Sequence, residues 1–230
     1  MDHRPLPLIP PPGSVWPRPF YRSIRVMAGG IFHSWLPVTV RGRENLPATG
    51  GVIVAANHLS LLDVPLLGYA IPRESRFPAK PELFKNPLLA RFLLSLGGFP
   101  LARGEGDRRA LSFSEQVLRE GVVLGIFPEG TRSRDGSLRP FHRGVALLAM
   151  SAGVPIVPAA ITGSDRSLPP GSAFPRPAQM TVSFGPPEWP ESVPSDPVSK
   201  KSESLRLSER VYERVQSLLS ESRPLQDKRP

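Results

Sequence analysis

Short apolar runs rich in β-branched residues recur along this chain, and helical patterns separate them. The clearest runs are Gly51–Ala56, Val122–Phe127 and Pro155–Ile161. Continuous apolar runs of this kind are typical of strands that are covered on both faces. Between two of them, Asp107–Glu120 places its apolar residues on one side of a helix. The alternation predicts an α/β fold: one domain with a largely buried mixed sheet flanked by helices.

The length of 230 residues fits one domain with short appendages. We predict a Pro-rich irregular arm over residues 1–18, a main domain over 37–190, and a Pro-rich linker with a C-terminal amphipathic helix over 191–230. Residues 19–36 predict a helix with aromatic residues near its ends. Two interpretations of this helix stay open: it packs on the core, or it lies in a membrane interface.

No segment of the sequence reaches the roughly 18 unbroken apolar residues that a membrane-spanning helix needs. We therefore expect an intracellular protein. If it meets a membrane, it does so at the cytoplasmic face, as a peripheral or monotopic protein. The formal net charge of +9 draws the chain toward polyanions such as anionic lipids and phosphorylated molecules. Nucleic acid is not expected, because aromatic residues are only 7% of the chain and are not interleaved with basic ones.

The absence of cysteine excludes several kinds of site and catalytic mechanism. The sequence contains no cysteine, which excludes disulfides, Cys-ligated metal sites and a cysteine nucleophile. A serine hydrolase is also disfavoured, because Ser60 does not stand in a Gly-x-Ser-x-Gly turn. We expect no metal and no cofactor.

The segment Asn57–Asp63 directly follows the apolar run Gly51–Ala56. Imidazole is the side chain best suited to accept a proton near neutral pH, and a nearby carboxylate can orient it. His58 and Asp63 stand five residues apart, so they meet only if His58 lies in the turn and Asp63 in the first helical turn. A structural interpretation stays open, because Ser60-x-x-Asp63 also fits a capping box at a helix start.

A second segment, Phe127–Arg134, again follows an apolar run. A turn of small residues with free backbone N–H groups, flanked by two arginines, is suited to holding a phosphate. Glu129 is a candidate acceptor for a hydrogen bond from a polyol hydroxyl. The alternative is a solvated turn with two surface arginines.

Three weaker signals accompany these segments. Gly97 and Gly98 allow close backbone approach ahead of Arg103, and Lys80, in the stretch Ala79–Leu83, is another candidate cation. The run Val154–Ile161 is suited to lining an acyl groove or simply to the core. None of the three is specific when taken alone.

Four blocks stand in this order: Asn57–Asp63, Gly97–Arg103, Phe127–Arg134 and Val154–Ile161. Together, in this order and spacing, they resemble the lysophosphatidic acid acyltransferase family of glycerolipid acyltransferases. That family carries an Asn-His-x-Ser-x-x-Asp block, a Gly-x-x-Phe-x-x-x-Arg-like block, a Phe-Pro-Glu-Gly-Thr-Arg-Ser block and a Val-Pro-Ile-Val-Pro block. The resemblance covers roughly residues 38–185 and makes 37–190 the acyltransferase domain. One departure is that Ala102 stands where the family usually has an acidic or polar residue before Arg103.

The resemblance implies a role for each matching residue. His58 would be the general base that deprotonates the acceptor hydroxyl, and Asp63 would orient it. The phosphate would be held by Arg103 and Lys80, with further positive charge from Arg132. The full implied substrate-binding set is Lys80, Arg103, Glu129, Gly130, Thr131 and Arg132.

The same resemblance implies the reaction and the partners. The expected donor is acyl-CoA or acyl carrier protein, and the expected acceptor is the free hydroxyl of 1-acyl-glycerol-3-phosphate at an anionic membrane surface. Transfer would give phosphatidic acid without a covalent enzyme intermediate. Three alternatives stay open: another lysolipid as acceptor, a thioester hydrolase that uses the same His–Asp pair, and a non-catalytic binder that tolerates loss of His58.

Overall fold

The computed structural model describes residues 29–30, 32, 34–101, 108–133, 135–172, 174–191 and 193–222. Seven strands form one sheet in the order β1-β7-β6-β2-β5-β3-β4. Neighbouring strands are parallel except β6 and β7, which are antiparallel. The strands are β1 (Val38–Arg41), β2 (Val52–Ala56), β3 (Ser75–Ala79), β4 (Gly98–Pro100), β5 (Val123–Ile126), β6 (Ile156–Thr162) and β7 (Met180–Phe184).

Six α-helical segments between residues 63 and 222 accompany this sheet. They are α1 (Asp63–Ala70), α2 (Pro87–Ser95), α3 (Arg108–Arg119), α4 (Gly144–Ala152), the single turn α5 (Ser164–Ser167) and α6 (Pro197–Ser222). Two short 3₁₀ helices lie at Arg43–Asn45 and Pro81–Phe84. The predicted α/β fold class, with a buried mixed sheet flanked by helices, is confirmed.

The core lies on both faces of the sheet, and β2 shows why. Successive side chains of a strand point to opposite faces. Val54 therefore packs in a cluster with α1 residues, whereas Ile53 packs in a second cluster with α3 and α4 residues. All five residues of β2 are fully buried. A strand placed this way needs apolar residues at every position, which is the pattern that its sequence shows.

The C-terminal helix is part of the same core. Leu207 and Val211 of α6 pack with residues of α3 and α4, and Val215 packs against Ala160 of β6. Leu219 is buried in the same cluster as Val215, and Leu218 packs against it partly buried.

One strand was not predicted. β3 has the sequence Ser-Arg-Phe-Pro-Ala, which contains a proline and a charged residue and so lacks a continuous apolar run. Arg76 is nevertheless buried, and its guanidinium donates to the carboxylate of Glu74. β3 lies between β5 and the edge strand β4.

Gly97 and Gly98, at the start of β4, lie close to the backbone of other residues, as the sequence predicted. Gly97 has φ of +82°, and a Cβ there would stand 2.3 Å from the carbonyl oxygen of Ser75. A Cβ at Gly98 would stand 2.8 Å from the carbonyl oxygen of Leu93 in α2. Both distances are too short for any larger residue without movement of the backbone.

The predicted arm over residues 1–18 and most of the predicted helix over 19–36 lie outside the described residues. At its described end, Phe32 and Leu36 are buried in the core, and the Phe32 ring lies 5.1 Å from that of Tyr69. Trp35 is 48% exposed. Within the described ranges, no helix combines the length and apolarity needed to cross a membrane.

Candidate active site

The candidate residues follow three neighbouring parallel strands. His58 follows β2, Lys80 follows β3 and Glu129 follows β5, and these strands lie side by side in the order β2-β5-β3. Because parallel strands end at the same edge of a sheet, their following turns meet there. The fold therefore gathers residues that are far apart in sequence at one edge.

Asn57 fixes the start of the first turn. Its side chain is buried, and its Oδ1 accepts a hydrogen bond from the backbone N–H of Ile161 at 2.7 Å. Its Nδ2 donates to the carbonyl oxygen of the same residue at 2.9 Å. This two-point contact ties the end of β2 to β6, so the chain enters the next residue, His58, with a fixed direction.

The structure brings His58 and Asp63 together. Asp63 is the first residue of α1, and its Oδ2 lies 2.8 Å from Nδ1 of His58. The same oxygen accepts hydrogen bonds from the backbone N–H groups of Leu59 and Ser60, at 2.6 and 2.7 Å. Because a carboxylate only accepts, the bond to His58 places the ring proton on Nδ1 and leaves Nε2 as the basic nitrogen.

The two interpretations of Ser60-x-x-Asp63 describe one arrangement. Asp63 accepts from the N–H of Ser60, as the acidic member of a capping box does. The hydroxyl of Ser60 does not complete the box: it accepts from the N–H of Leu62 at 3.3 Å and donates to the carbonyl of Leu168 at 3.0 Å. The carboxylate therefore both starts the helix and orients the imidazole, and the serine hydroxyl is occupied.

A second ring fixes the plane of the imidazole. The Phe127 ring stacks on His58 with 4.1 Å between centroids and 19° between planes. The His58 side chain is 14% exposed, and its Nε2 bonds to none of the described residues. Phe127 belongs to the second block, but the sequence analysis gave it no role. A contact between rings 69 positions apart cannot be read from local sequence.

Glu129 connects the two blocks. Its side chain is 4% exposed, with Oε1 accepting from the N–H of His58 at 2.7 Å and Oε2 accepting from the N–H of Arg139 at 3.1 Å. Burial raises the pKa of this carboxyl, while the hydrogen bonds from His58 and Arg139 act in the opposite direction. Both carboxylate oxygens of Glu129 therefore bind backbone N–H groups. A contact between Glu129 and a glycerol hydroxyl stays a prediction.

The rest of the second block follows Glu129 in a turn. Gly130 has φ of +71°, and a Cβ there would stand 3.2 Å from the ring of His142. The N–H of Ser133 donates to the carbonyl of His58 at 2.8 Å, which is a second link between the blocks. Thr131 and Arg132 are exposed.

The cations at this edge are exposed rather than paired. Lys80 and Arg132 take part in no ion pair within the described part of the chain. Arg139 and Arg143 are also exposed and were not predicted as site residues. Arg103 and Arg134 lie outside the described residues. Among those that are described, no three His, Asp or Glu side chains gather as metal ligands would.

Known proteins are similar to this chain in sequence and in fold. The chain is 37% identical over 127 residues to 1-acyl-sn-glycerol-3-phosphate acyltransferase of Bacillus subtilis (strain 168), covering 55% of this chain and 63% of that protein. It is 32% identical over 162 residues to the protein of the same name from Cocos nucifera, covering 67% of this chain and 52% of that protein. The chain thus spans only about half to two thirds of the length of these curated relatives.

A solved structure agrees with the sequence matches. The crystal structure of the 1-acyl-sn-glycerophosphate (LPA) acyltransferase PlsC from Thermotoga maritima superposes with a TM-score of 0.67 and 30% identity. The match covers 86% of this chain and 79% of that one. A family model described as Acyltransferase matches residues 37–162, which is more than half of the sequence. The chain therefore belongs to the acyltransferase family.

Proposed function

We propose that the protein transfers a fatty acyl group from acyl-CoA or acyl carrier protein to the free hydroxyl of 1-acyl-glycerol-3-phosphate, giving phosphatidic acid. The observation that carries the proposal is the contact of 2.8 Å between His58 and the buried carboxylate of Asp63. Family membership and the names of the matched relatives supply the substrate class.

In this proposal His58 acts as the general base. Its Nε2 accepts the proton of the acceptor hydroxyl, and the resulting alkoxide attacks the thioester carbonyl carbon. The tetrahedral intermediate then collapses, the carbon–sulfur bond breaks, and the leaving thiolate receives the proton from the imidazolium. Asp63 stabilises that imidazolium through Nδ1 and keeps the ring in the required tautomer. No residue of the enzyme becomes acylated.

The exposed cations would bind the acceptor phosphate. Lys80 follows β3 at the same sheet edge at which His58 follows β2, with β5 between the two strands. Arg132 is exposed in the turn after β5, and Arg103 is the third cation that the resemblance assigns. We place the enzyme at the cytoplasmic face of a membrane, where each basic residue near an anionic surface contributes about 1 kcal/mol.

The test is product analysis with purified protein, acyl-CoA, acyl carrier protein thioester and a panel of lysolipids. We expect phosphatidic acid from 1-acyl-glycerol-3-phosphate, with thiol release that depends on the acceptor. Thiol release at the same rate without any lysolipid would identify a thioester hydrolase and contradict the proposal. Preferential acylation of a different lysolipid would retain the transfer chemistry and overturn the assigned acceptor.

A further inference from the structure

Helix α2 exposes its large apolar side chains and buries small ones. Leu88 is 77% exposed and Phe92 is 57% exposed, whereas the buried residues of this helix are Ala90 and Ser95. At 100° per residue, Leu88, Leu89 and Phe92 fall within about 100° of arc. A helix of a globular domain ordinarily turns such a stripe toward the core. The described part of this domain therefore leaves one apolar face of α2 uncovered.

The fold holds the helix in this orientation. On its inner side α2 approaches β4 closely, since a Cβ at Gly98 would stand 2.8 Å from the carbonyl oxygen of Leu93. Its start is fixed by Asn86, whose side chain accepts from the N–H groups of Leu88 and Leu89 at 3.0 and 3.2 Å. The exposed leucines thus belong to a helix whose start is capped and whose end turns tightly into β4.

Positive charge borders the apolar face. Lys80, Lys85 and Arg91 are all exposed, and none of them forms an ion pair with another described residue. The segment 80–95 carries these three cations and one carboxylate, that of Glu82. A stripe of large apolar residues bordered by cations matches the boundary of an anionic bilayer, where phosphates meet the cations and acyl chains meet the apolar residues.

The same face adjoins the candidate active site. The chain leaves β3 at Ala79, passes Lys80 and a 3₁₀ turn, and enters α2 at Pro87 before returning through Gly97 to the parallel strand β4. The start of α2 therefore lies at the sheet edge that carries His58, and Leu88 and Leu89 belong to this first turn. A lipid entering from this side would meet Lys80 on its way to the imidazole.

We propose that this α2 surface, formed by Leu88, Leu89 and Phe92 with Lys85 and Arg91, docks on an anionic lipid bilayer. Its purpose rests on the proposed function: docking would bring a membrane-borne lysophospholipid to the site without a long path through water. The bilayer is favoured over a protein partner by the cationic border, which suits a uniform layer of phosphates.

The first test uses the lack of native cysteine. A Leu89→Cys variant carries one environment-sensitive fluorophore, and a matched Val198→Cys variant carries the same label at an exposed site of α6. With mixed phosphatidylcholine–phosphatidylglycerol vesicles we expect a blue shift at position 89 only, and a smaller one with phosphatidylcholine alone. No shift at 89, or equal shifts at both positions, would overturn the proposal. A concentration-dependent shift without vesicles would also overturn it, because a second copy would then cover this face.

The second test separates docking from chemistry. Replacing Leu88, Leu89 and Phe92 by serine should reduce vesicle partitioning at least about tenfold, since burying even one such side chain is worth roughly that factor. Val198→Ser with Leu205→Ser is the control, and melting temperatures check the fold.

The kinetic measurement compares two acceptors. The ratio of the transfer rate on vesicle-borne acceptor to that on monomeric short-chain acceptor should fall with partitioning. An unchanged ratio and unchanged partitioning would contradict docking. Absence of transfer to any acceptor, even by the wild type, would refute the proposed function, while the fluorophore result would still decide on the surface.

Discussion

The carboxylates of Asp63 and Glu129 beside His58 are bound to other parts of the chain, through Oδ2 of Asp63 and both oxygens of Glu129. The cations of Lys80 and Arg132 are instead exposed and form no ion pair in the described structure. Asp63 accepts three hydrogen bonds through one oxygen, and Glu129 holds the backbone of His58 and Arg139. The difference corresponds to two tasks. Proton transfer requires an orientation fixed to a fraction of an ångström, whereas attraction of a phosphate requires only nearby charge. Substitutions in the first region should therefore lower kcat, and those in the second should raise KM.

The largest effect is expected at His58. His58→Ala removes the basic nitrogen and should lower kcat by about 10²-fold to 10⁴-fold, the contribution typical of a general base. The melting temperature should change little, because the ring is partly exposed and stands in a turn. Steady-state kinetics, with and without added imidazole as a replacement base, provide the measurement. Turnover close to that of the wild type would refute the assignment.

Asp63→Asn should lower kcat by about 10²-fold. The amide oxygen can still accept from Leu59 and Ser60, but it no longer carries the negative charge that stabilises the imidazolium. The matched control is Asp196→Asn, because Asp196 also accepts from a backbone N–H at a helix start but contacts no imidazole in the described structure. If both variants lost activity equally, the effect of Asp63 would be that of a helix cap.

Glu129→Gln should lower kcat about tenfold with little change in KM. The amide offers one accepting oxygen where the carboxylate offers two, so one of the N–H groups of His58 and Arg139 loses its partner. The control is Glu209→Gln on the exposed side of α6. A variant with normal kcat and a raised KM for the lysolipid would instead support the glycerol contact that the family resemblance implies.

The prediction of the fold succeeded where local pattern and tertiary environment agree. The run at β2 is apolar at every position because both faces of that strand are covered. The failure at β3 has the opposite cause, because Arg76 is tolerated in a buried strand through its contact with Glu74. In the site, the spacing of His58 and Asp63 defined the only way in which they could meet, and the structure shows that arrangement.

Long-range contacts could not be predicted in this way. The bond from the N–H of His58 to Glu129 joins residues 71 positions apart, and Asn57 bonds to a residue 104 positions away. Neither contact follows from periodicity or from local spacing, because both depend on the order of the strands in the sheet. The resemblance to the family supplied the residue types but not these partners.

In the exposed region the expected effects are smaller. Lys80→Ala and Arg132→Ala should each raise the acceptor KM about fivefold, the equivalent of roughly 1 kcal/mol. Arg103 lies outside the described residues, and we expect the same effect of Arg103→Ala because the family resemblance assigns it the same role. The KM of the acyl donor should rise less, and the effects should shrink at high salt because exposed charges are screened. Arg119→Ala is the control, since that guanidinium is paired with Glu115 on α3. Equal changes for donor and acceptor would contradict a role in binding the acceptor phosphate.

The smallest effect concerns two neighbouring carboxylates in different environments: Glu129 in the second block and Asp135 in the loop that follows it. Burial raises the pKa of Glu129, so its folded state binds a proton more tightly than the unfolded chain. Its contribution to stability is present below the unfolded pKa of roughly 4.3 and is lost as pH rises through the folded pKa. Hydrogen bonds from the Ser137 side chain and backbone and from the Ser133 hydroxyl lower the pKa of exposed Asp135, whose contribution is instead lost as pH falls.

Melting temperatures between about pH 3 and pH 7 test this opposition of sign. Relative to the wild type, Glu129→Gln should gain stability as pH rises above the ordinary carboxyl range, because glutamine does not have to become charged in a buried site. Asp135→Asn should lose least at the acid end, where the carboxyl of the unfolded chain is becoming protonated and the native one remains ionised. If both variants followed the same pH trend, Glu129 would be titrating like a solvated group, and the contrast between a bound carboxylate beside His58 and an exposed one in the following loop would fail.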